Sequence, residues 1–309
     1  MTFPRLFLAI SLALLTAGFS KPSEALDETT KANPYVNGLG MKFVPAGTKG
    51  VLFGVWETRV KDFRAFVKAT GYDAIKETAN GMAAYTLEKE GEGVTMKQEG
   101  GSWEDPRFPV GHGQDENHPV VCASYLDAEA FCEWLTKKER EGGKLPVGWR
   151  YRLPTDGEWS VACGPEEYPW GAKFPPKNGD GNYSGVEAMV GPLEGFSNEF
   201  VKAGRNDEWA RTAPVGSFVA NRYGLYDMGG NVWEWCSSWY VSTMNDAETL
   251  AAYPGLKDDR GGKTARVVRG GSWNSNARVG LRSVDRRNGD PRLRYGSYGF
   301  RVVLVGGGG

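Results

Sequence analysis

The sequence predicts a loop-rich globular fold of short strands and short helices, and three observations predict it. Glycine is abundant, at 43 of 309 residues, while aromatic side chains make up 12%, so many tight turns must be held together by large rings. The segments with helical or alternating periodicity are short and carry their own start and stop signals. Between them, residues 72–117 and 165–222 show almost no period yet keep scattered aromatics, which argues against a helical bundle and against disorder.

In chain order, residues 1–25 read as an export signal: Arg5 is a short basic start, Leu6 to Phe19 is apolar, and Ser23-Glu24-Ala25 offers a small-x-Ala cleavage site. The stretch is too short and too poorly flanked for a stable membrane span, and no cysteine lies near it to take a lipid. The mature protein is therefore expected in the periplasm or the extracellular space; an uncleaved amino-terminal anchor is the other reading. Residues 26–40 are polar, contain Pro34 and read as a linker. Met41 to Pro45 and Gly50 to Trp56 read as strands. Thr58 is placed to cap a helix whose Val60, Phe63 and Val67 share one face, with Gly71 placed to stop it. Residues 72–117 read as an insertion. Strand character resumes at His118-Pro119-Val120-Val121, and Ser124 with Asp127 forms a capping-box variant ahead of an apolar stripe of Ala128, Phe131, Cys132 and Leu135. Thr155 with Glu158 caps a short helix carrying Trp159 and Ala162. Residues 165–222 read as an ordered, pinned loop region, because Trp170, Phe174, Tyr183, Phe196, Phe200 and Trp209 give it something to bury, and metal ions are an economical pin. Arg266 to Arg269 and Phe300 to Val305 read as the last strands, ahead of a glycine tail at 306–309. One mature domain over 41–305 is expected.

A net charge of -1 gives no electrostatic footprint for nucleic acid. Cys122, Cys132, Cys163 and Cys236 contain no C-x-x-C pair and fit no zinc spacing; disulfides and buried thiols both stay open.

The densest stretch is Tyr223 to Tyr240, YGLYDMGGNVWEWCSSWY. It places Asp227 and Glu234 on either side of a Gly229-Gly230-Asn231 turn and packs Trp233, Trp235, Trp239 and Tyr240 behind it. Carboxylates around a tight irregular turn suit a hard cation such as Ca²⁺, which takes side-chain and carbonyl oxygens. A tryptophan-rich core turn with solvated acids is the alternative.

Ordered motifs then carry a resemblance. HPVV from His118, YRLPTDGEW from Tyr151, YPWG from Tyr168, TAPVGSF from Thr212, GNVWEW from Gly230, RGGSW from Arg269 and GFR from Gly299 together resemble the sulfatase-modifying factor family, the formylglycine-generating-enzyme type of domain, over roughly Met41 to Val305. The resemblance implies an irregular C-type-lectin-like α+β fold with long loops organised by Ca²⁺. It implies one ion at Asp227 and Glu234 with the carbonyls of Gly230 and Val232. A second would sit at Asp207 and the backbone of Trp209, but its other side-chain ligand falls near Gly185, which has no side-chain oxygen.

The resemblance fails at the family's oxidative centre. Copper-dependent members use two cysteines after the GGS motif, and no cysteine follows Cys236 here; Asn274, Ser275 and Asn276 cannot replace thiolates as Cu(I) ligands. The three-histidine iron site of the related sulfoxide synthases is also excluded, since the chain has only His112 and His118. What remains is a surface for a polypeptide or small polar ligand. Trp233 and Ser272 match positions near the family's cleft. The segment after Trp273 carries Arg278, Arg282, Arg286, Arg287, Arg292, Arg294, Tyr295 and Tyr298, side chains suited to anchoring polar ligands. From this set Trp233, Ser272, Trp273, Arg282, Arg286, Arg294, Tyr295 and Tyr298 are the expected ligand contacts. A binding or accessory protein is the primary reading. An oxidoreductase acting on sulfatase cysteines or another thiol is one alternative, and a binding protein diversified by a retroelement, whose variable segment also runs from GGSW to GFR, is another.

Overall fold

The computed structural model of the chain describes residues 26, 28–74, 84–90, 93–195, 197–240, 265–278 and 280–306. Residues 1–25, read above as an export signal, Phe196 and residues 307–309 of the glycine tail lie outside the described residues. Two small sheets position everything that follows. The first joins the two ends of the domain: β1 (Tyr35–Val36), β2 (Lys42–Pro45), β3 (Val51–Gly54), β6 (Arg150–Arg152) and β11 (Val303–Val305) lie in the order β1-β2-β3-β11-β6, all antiparallel. Leu52 faces Leu304 in this ladder, so closing the domain needs the last strand as much as the first. Residues 26–40, read as a linker, supply its edge: Tyr35 pairs with Phe43, and Asn37 Oδ1 takes the N–H groups of Leu39 and Met41 to turn the chain into β2.

Three helices cover the sheet. Helix α1 (Val60–Thr70) starts one residue later than the Thr58 reading: Arg59 is its N-cap, with Asp62 accepting from the Arg59 backbone and side chain. Thr58 is drawn instead into a main-chain ladder, donating to Phe300 O while its carbonyl accepts from Val120. Gly71 ends α1 at φ 68°, where its N–H reaches Val67 O. Helix α2 (Tyr125–Glu141) and helix α3 (Asp156–Cys163) each begin on the expected capping box. Phe63, Phe66 and Phe131 meet Phe300 in one aromatic core between helices and sheet.

Two expectations change. His118–Val121 contributes a single bridge, Arg59 to Pro119, rather than a strand, because Pro119 has no N–H for a ladder. The supposed structureless insertion contains a hairpin, β4 (Ala84–Glu90) with β5 (Gly93–Gly101). Charged residues among Tyr85, Thr86, Val94 and Thr95 hide its alternation.

The second sheet runs β10-β7-β8-β9, from β7 (Trp233–Trp239), β8 (Arg266–Arg269), β9 (Arg287–Gly289) and β10 (Tyr298–Gly299). Parallel pairing of β10 with β7 sets Tyr298 opposite Trp233. Residues 165–222 wrap around a small core of Tyr168, Tyr183, Phe200 and Leu281, with Trp170 and Phe174 against it. All four cysteines are buried and free, and burial pushes the Cys163 thiol up to about 11. Among the described residues no helix is long and apolar enough to cross a membrane.

Candidate functional site

Three loci hold the side chains singled out in the sequence. The first is the turn from Asp227 to Glu234. Asp227, Gly230 and Asn231 all have positive φ, of 58°, 82° and 58°, and a Cβ on Gly230 would stand 2.3 Å from Asn182 O, so only glycine closes the bend. Behind it Glu57, Asp227 and Glu234 are all buried. Glu234 is held by Arg301, whose Nη2 donates at 2.7 Å, and by Trp159 Nε1 at 2.8 Å. Glu57 accepts from Asn231 Nδ2 at 2.7 Å and Val232 N at 3.3 Å. Burial, with Asp227 and Glu234 beside it, holds the Glu57 carboxyl well above the usual carboxylate range. Burial likewise pushes Asp227 up to about 6. Asp227 Oδ2 accepts from Gly216 N at 2.8 Å, but its Oδ1 is buried with no hydrogen-bond donor among the described residues. Arg301 and Trp159 already engage both Glu234 oxygens, so the carboxylate oxygen open to a cation at this turn is Asp227 Oδ1. Among the described residues no three His, Cys, Asp or Glu side chains converge on a metal position, so an ion here would have to draw on carbonyls such as those of Gly230 and Val232.

At the second locus Asp207 itself is paired, while Asn182 Oδ1 and Glu187 Oε2 beside it are buried without a donor among the described residues. Asp207 Oδ2 accepts from Tyr183 N at 2.9 Å and Arg205 Nη1 at 2.6 Å, and its Oδ1 accepts from Trp209 N at 3.1 Å. Both oxygens of the carboxylate are already engaged. A Cβ on Gly185 would lie 2.4 Å from Arg205 O, so no side chain can enter from that position.

The third locus is an open cleft of 620 Å³ at the end of the second sheet. Trp233 is one wall, fixed by its N–H to Ser297 O at 2.9 Å. Tyr295 and Tyr298, ring centroids 4.5 Å apart, form another. Asn274, Ser275, Asn276 and Asn288 add amide and hydroxyl groups. Asp285 ties the loop below, accepting from Gly280 N and from Arg282. Arg287 projects from β9 with its guanidinium 5.6 Å from the Trp233 ring, is exposed, and has no carboxylate partner among the described residues.

Of the eight expected ligand contacts, Trp233, Arg286, Tyr295 and Tyr298 line this cleft. The other four do not. Ser272 is fully buried, its Oγ on Asn274 Oδ1 at 2.6 Å, and so orients the rim from behind. Trp273 is buried, donating to Gly296 O at 2.9 Å under the Arg211 guanidinium. Arg294 is locked to Asp127 by two 2.8 Å bonds inside the core, and Arg282 is paired with Asp285 at 2.7 Å. Arg286, although in the lining, pairs with Asp156. Arg287 is among the arginines named for this segment but not among the eight expected contacts, and Asn274, Asn276 and Asn288 are not expected contacts either; only their place after GGSW hints at them. The positions that follow GGSW, where copper-dependent members carry thiols, hold carboxamides and a hydroxyl on the cleft wall.

These loci sit on a known framework. The structure of PvdO from Pseudomonas aeruginosa superposes with a TM-score of 0.54 at 23% identity, over 82% of this chain and 80% of that one. Treponema denticola variable protein 1 gives 0.54 at 18% identity, over 88% and 98%. The fold is thus the irregular α+β, C-type-lectin-like architecture. Residues 53–305 match the sulfatase-modifying factor enzyme 1-like domain, and the chain belongs to the sulfatase-modifying factor family. It is 31% identical over 231 residues to the formylglycine-generating enzyme of Thermomonospora curvata, covering 69% of this chain and 67% of that protein. The mouse enzyme is 30% identical over 72% of this chain, and the match spans 57% of the mouse protein's length.

Proposed function

We propose that this chain is an exported member of the family that binds a polypeptide or small polar ligand in the cleft beside Trp233, without copper chemistry. The observation that carries the reading is the composition of the wall: Asn274, Ser275 and Asn276 stand after the GGSW motif, and no cysteine follows Cys236 anywhere in the chain. Carboxamides and hydroxyls bind polar ligands but are poor ligands for Cu(I). Trp233, Tyr295 and Tyr298 supply flat amphipathic surface, and Arg287, which has no carboxylate partner among the described residues, supplies a forked donor for a carboxylate on the ligand. The reading includes one Ca²⁺ at Asp227 and Glu234, supported by the orphaned Asp227 Oδ1 and the excess of buried acids. The test is titration with Cu(I) in the presence of a cysteine-containing sulfatase peptide, following copper uptake and oxygen. Neither stoichiometric uptake nor oxygen consumption is expected; both together would overturn the binding reading in favour of a thiol oxidoreductase.

A further inference from the structure

We propose a second ligand site away from the Trp233 cleft: the cavity at the end of helix α3 binds a small zwitterion, a free α-amino acid with an apolar side chain. The inference is independent of the reading of the cleft, because the two cavities share no lining residue.

The cavity has a volume of 380 Å³ and lies between the end of α3, the turn that follows it and residues 219–222. Its frame is fixed by contacts that leave little freedom. Asn221 spends both ends of its carboxamide on the main chain, donating to Ala162 O at 2.8 Å and accepting from Tyr223 N at 3.0 Å and Leu225 N at 3.2 Å. Trp170 donates from Nε1 to Lys173 O at 2.7 Å and stacks on Tyr168 with ring centroids 4.7 Å apart. With Pro165, Pro169 and the exposed Val219, this indole supplies a preformed apolar wall.

Charge singles the cavity out. Arg222 lines it and has no carboxylate partner among the described residues. Its carbonyl accepts from Lys31 Nζ at 3.0 Å and its guanidinium lies 5.1 Å from the Tyr223 ring, contacts that orient the side chain without neutralising it. Asp180 and Glu166 line the same cavity. Asp180 Oδ2 accepts from Lys177 N at 2.7 Å, which fixes that carboxylate; its other oxygen and the Glu166 carboxylate have no donor among the described residues. Charges of both signs thus stand around one cavity without pairing.

A ligand of one sign would satisfy only half of this arrangement. An anion on Arg222 would face two carboxylates, and a cation on Asp180 would face a guanidinium. A molecule with an ammonium and a carboxylate on one carbon meets both demands: its carboxylate takes the Arg222 fork, its ammonium takes Asp180 and Glu166, and its side chain lies on the Trp170 wall. Arg222 and Glu166 are exposed and Asp180 is half-buried, so little desolvation opposes binding and the affinity is modest.

The test titrates the wild-type protein with L-leucine by calorimetry, beside N-acetyl-L-leucine, which lacks the ammonium, and L-leucinamide, which lacks the carboxylate. L-Leucine is expected to saturate the protein, and each blocked form to bind about tenfold more weakly or worse, the usual worth of a charge-assisted hydrogen bond. This comparison needs no variant, so it stands whatever the stability of the substituted proteins. Arg222→Gln, with its thermal midpoint checked, should weaken L-leucine about tenfold and remove its advantage over L-leucinamide. The double variant Glu166→Gln, Asp180→Asn should erase the preference over N-acetyl-L-leucine. Failure of L-leucine to saturate below about 10 mM, equal binding of the three ligands, or a preference that survives in the matching folded variant would each overturn the proposal.

Discussion

The loop at Asp207 and the turn at Asp227 lie twenty residues apart in the same irregular region, and each pairs one carboxylate with an arginine while another carboxylate oxygen is left without a donor among the described residues. At Asp207 the chain brings its own cation: Arg205 pairs with the carboxylate at 2.6 Å, and every oxygen of that carboxylate has a donor. At Asp227 three buried acids, Glu57, Asp227 and Glu234, share the single guanidinium of Arg301, and one carboxylate oxygen has none. The lesson is that carboxylates on a glycine-rich turn do not by themselves define a metal site. What counts is which oxygens the arginines leave open: Arg301 takes Glu234 and leaves Asp227 Oδ1, while Arg205 takes Asp207 and leaves Glu187 Oε2.

The strongest way to break the comparison is Arg205→Ala. It strands Asp207 as an unpaired buried charge and is expected to cost about 3–5 kcal/mol in urea unfolding, the usual effect of removing one partner of a buried pair. A cost below 1 kcal/mol, roughly that of an exposed pair, would mean the pair is not buried in solution. Next in size is calcium removal. If the Asp227 turn is saturated at about a hundred times its dissociation constant, EDTA should remove about 2.7 kcal/mol, and Asp227→Asn should abolish the response to EDTA. An EDTA effect that survives this substitution would place the ion elsewhere.

A smaller effect comes from His118, which packs against the far side of the Asp207 loop, Nδ1 3.0 Å from Thr212 Oγ1 and ring edge on Trp209. Burial lowers its pKa below the ordinary histidine value, outweighing the pull of Asp115. Over the window from about 6.5 down to the lowered folded value, the unfolded chain therefore binds the proton and the native one does not. Stability contributed by neutral His118 is full above that window and lost as pH falls through it. The difference between wild type and His118→Gln isolates this slope from the opposing one of Glu57, whose raised pKa makes stability fall as pH rises through its own range. A pH profile identical in the two proteins would contradict the assignment. The smallest effect is expected for Arg287→Ala, within about 0.5 kcal/mol because its guanidinium is exposed; a larger loss would make Arg287 a structural group like Arg282 and Arg294.

Much of the scaffold was legible. The capping boxes of α2 and α3 depend only on residues three apart, and Gly71 ends α1 by a purely local conformation. The cleft was legible in part: Trp233, Tyr295 and Tyr298 follow from their place around the GGSW and GFR motifs, whereas the roles of the arginines do not. Arg294 finds Asp127 across 167 residues, and Arg301 finds Glu234 across 67. In sequence, Arg205-Asn206-Asp207-Glu208 looks like any solvated charged loop.

By itself, then, the sequence determined the family, the helix boundaries set by caps and the turn closed at Gly230, because each rests on neighbouring residues or on ordered motifs. Tertiary structure alone decided which charges are buried, which arginines are spent on carboxylates and which one faces the cleft. Burial and pairing depend on groups far apart in the chain, and in a fold with so little regular structure no periodicity carries that information.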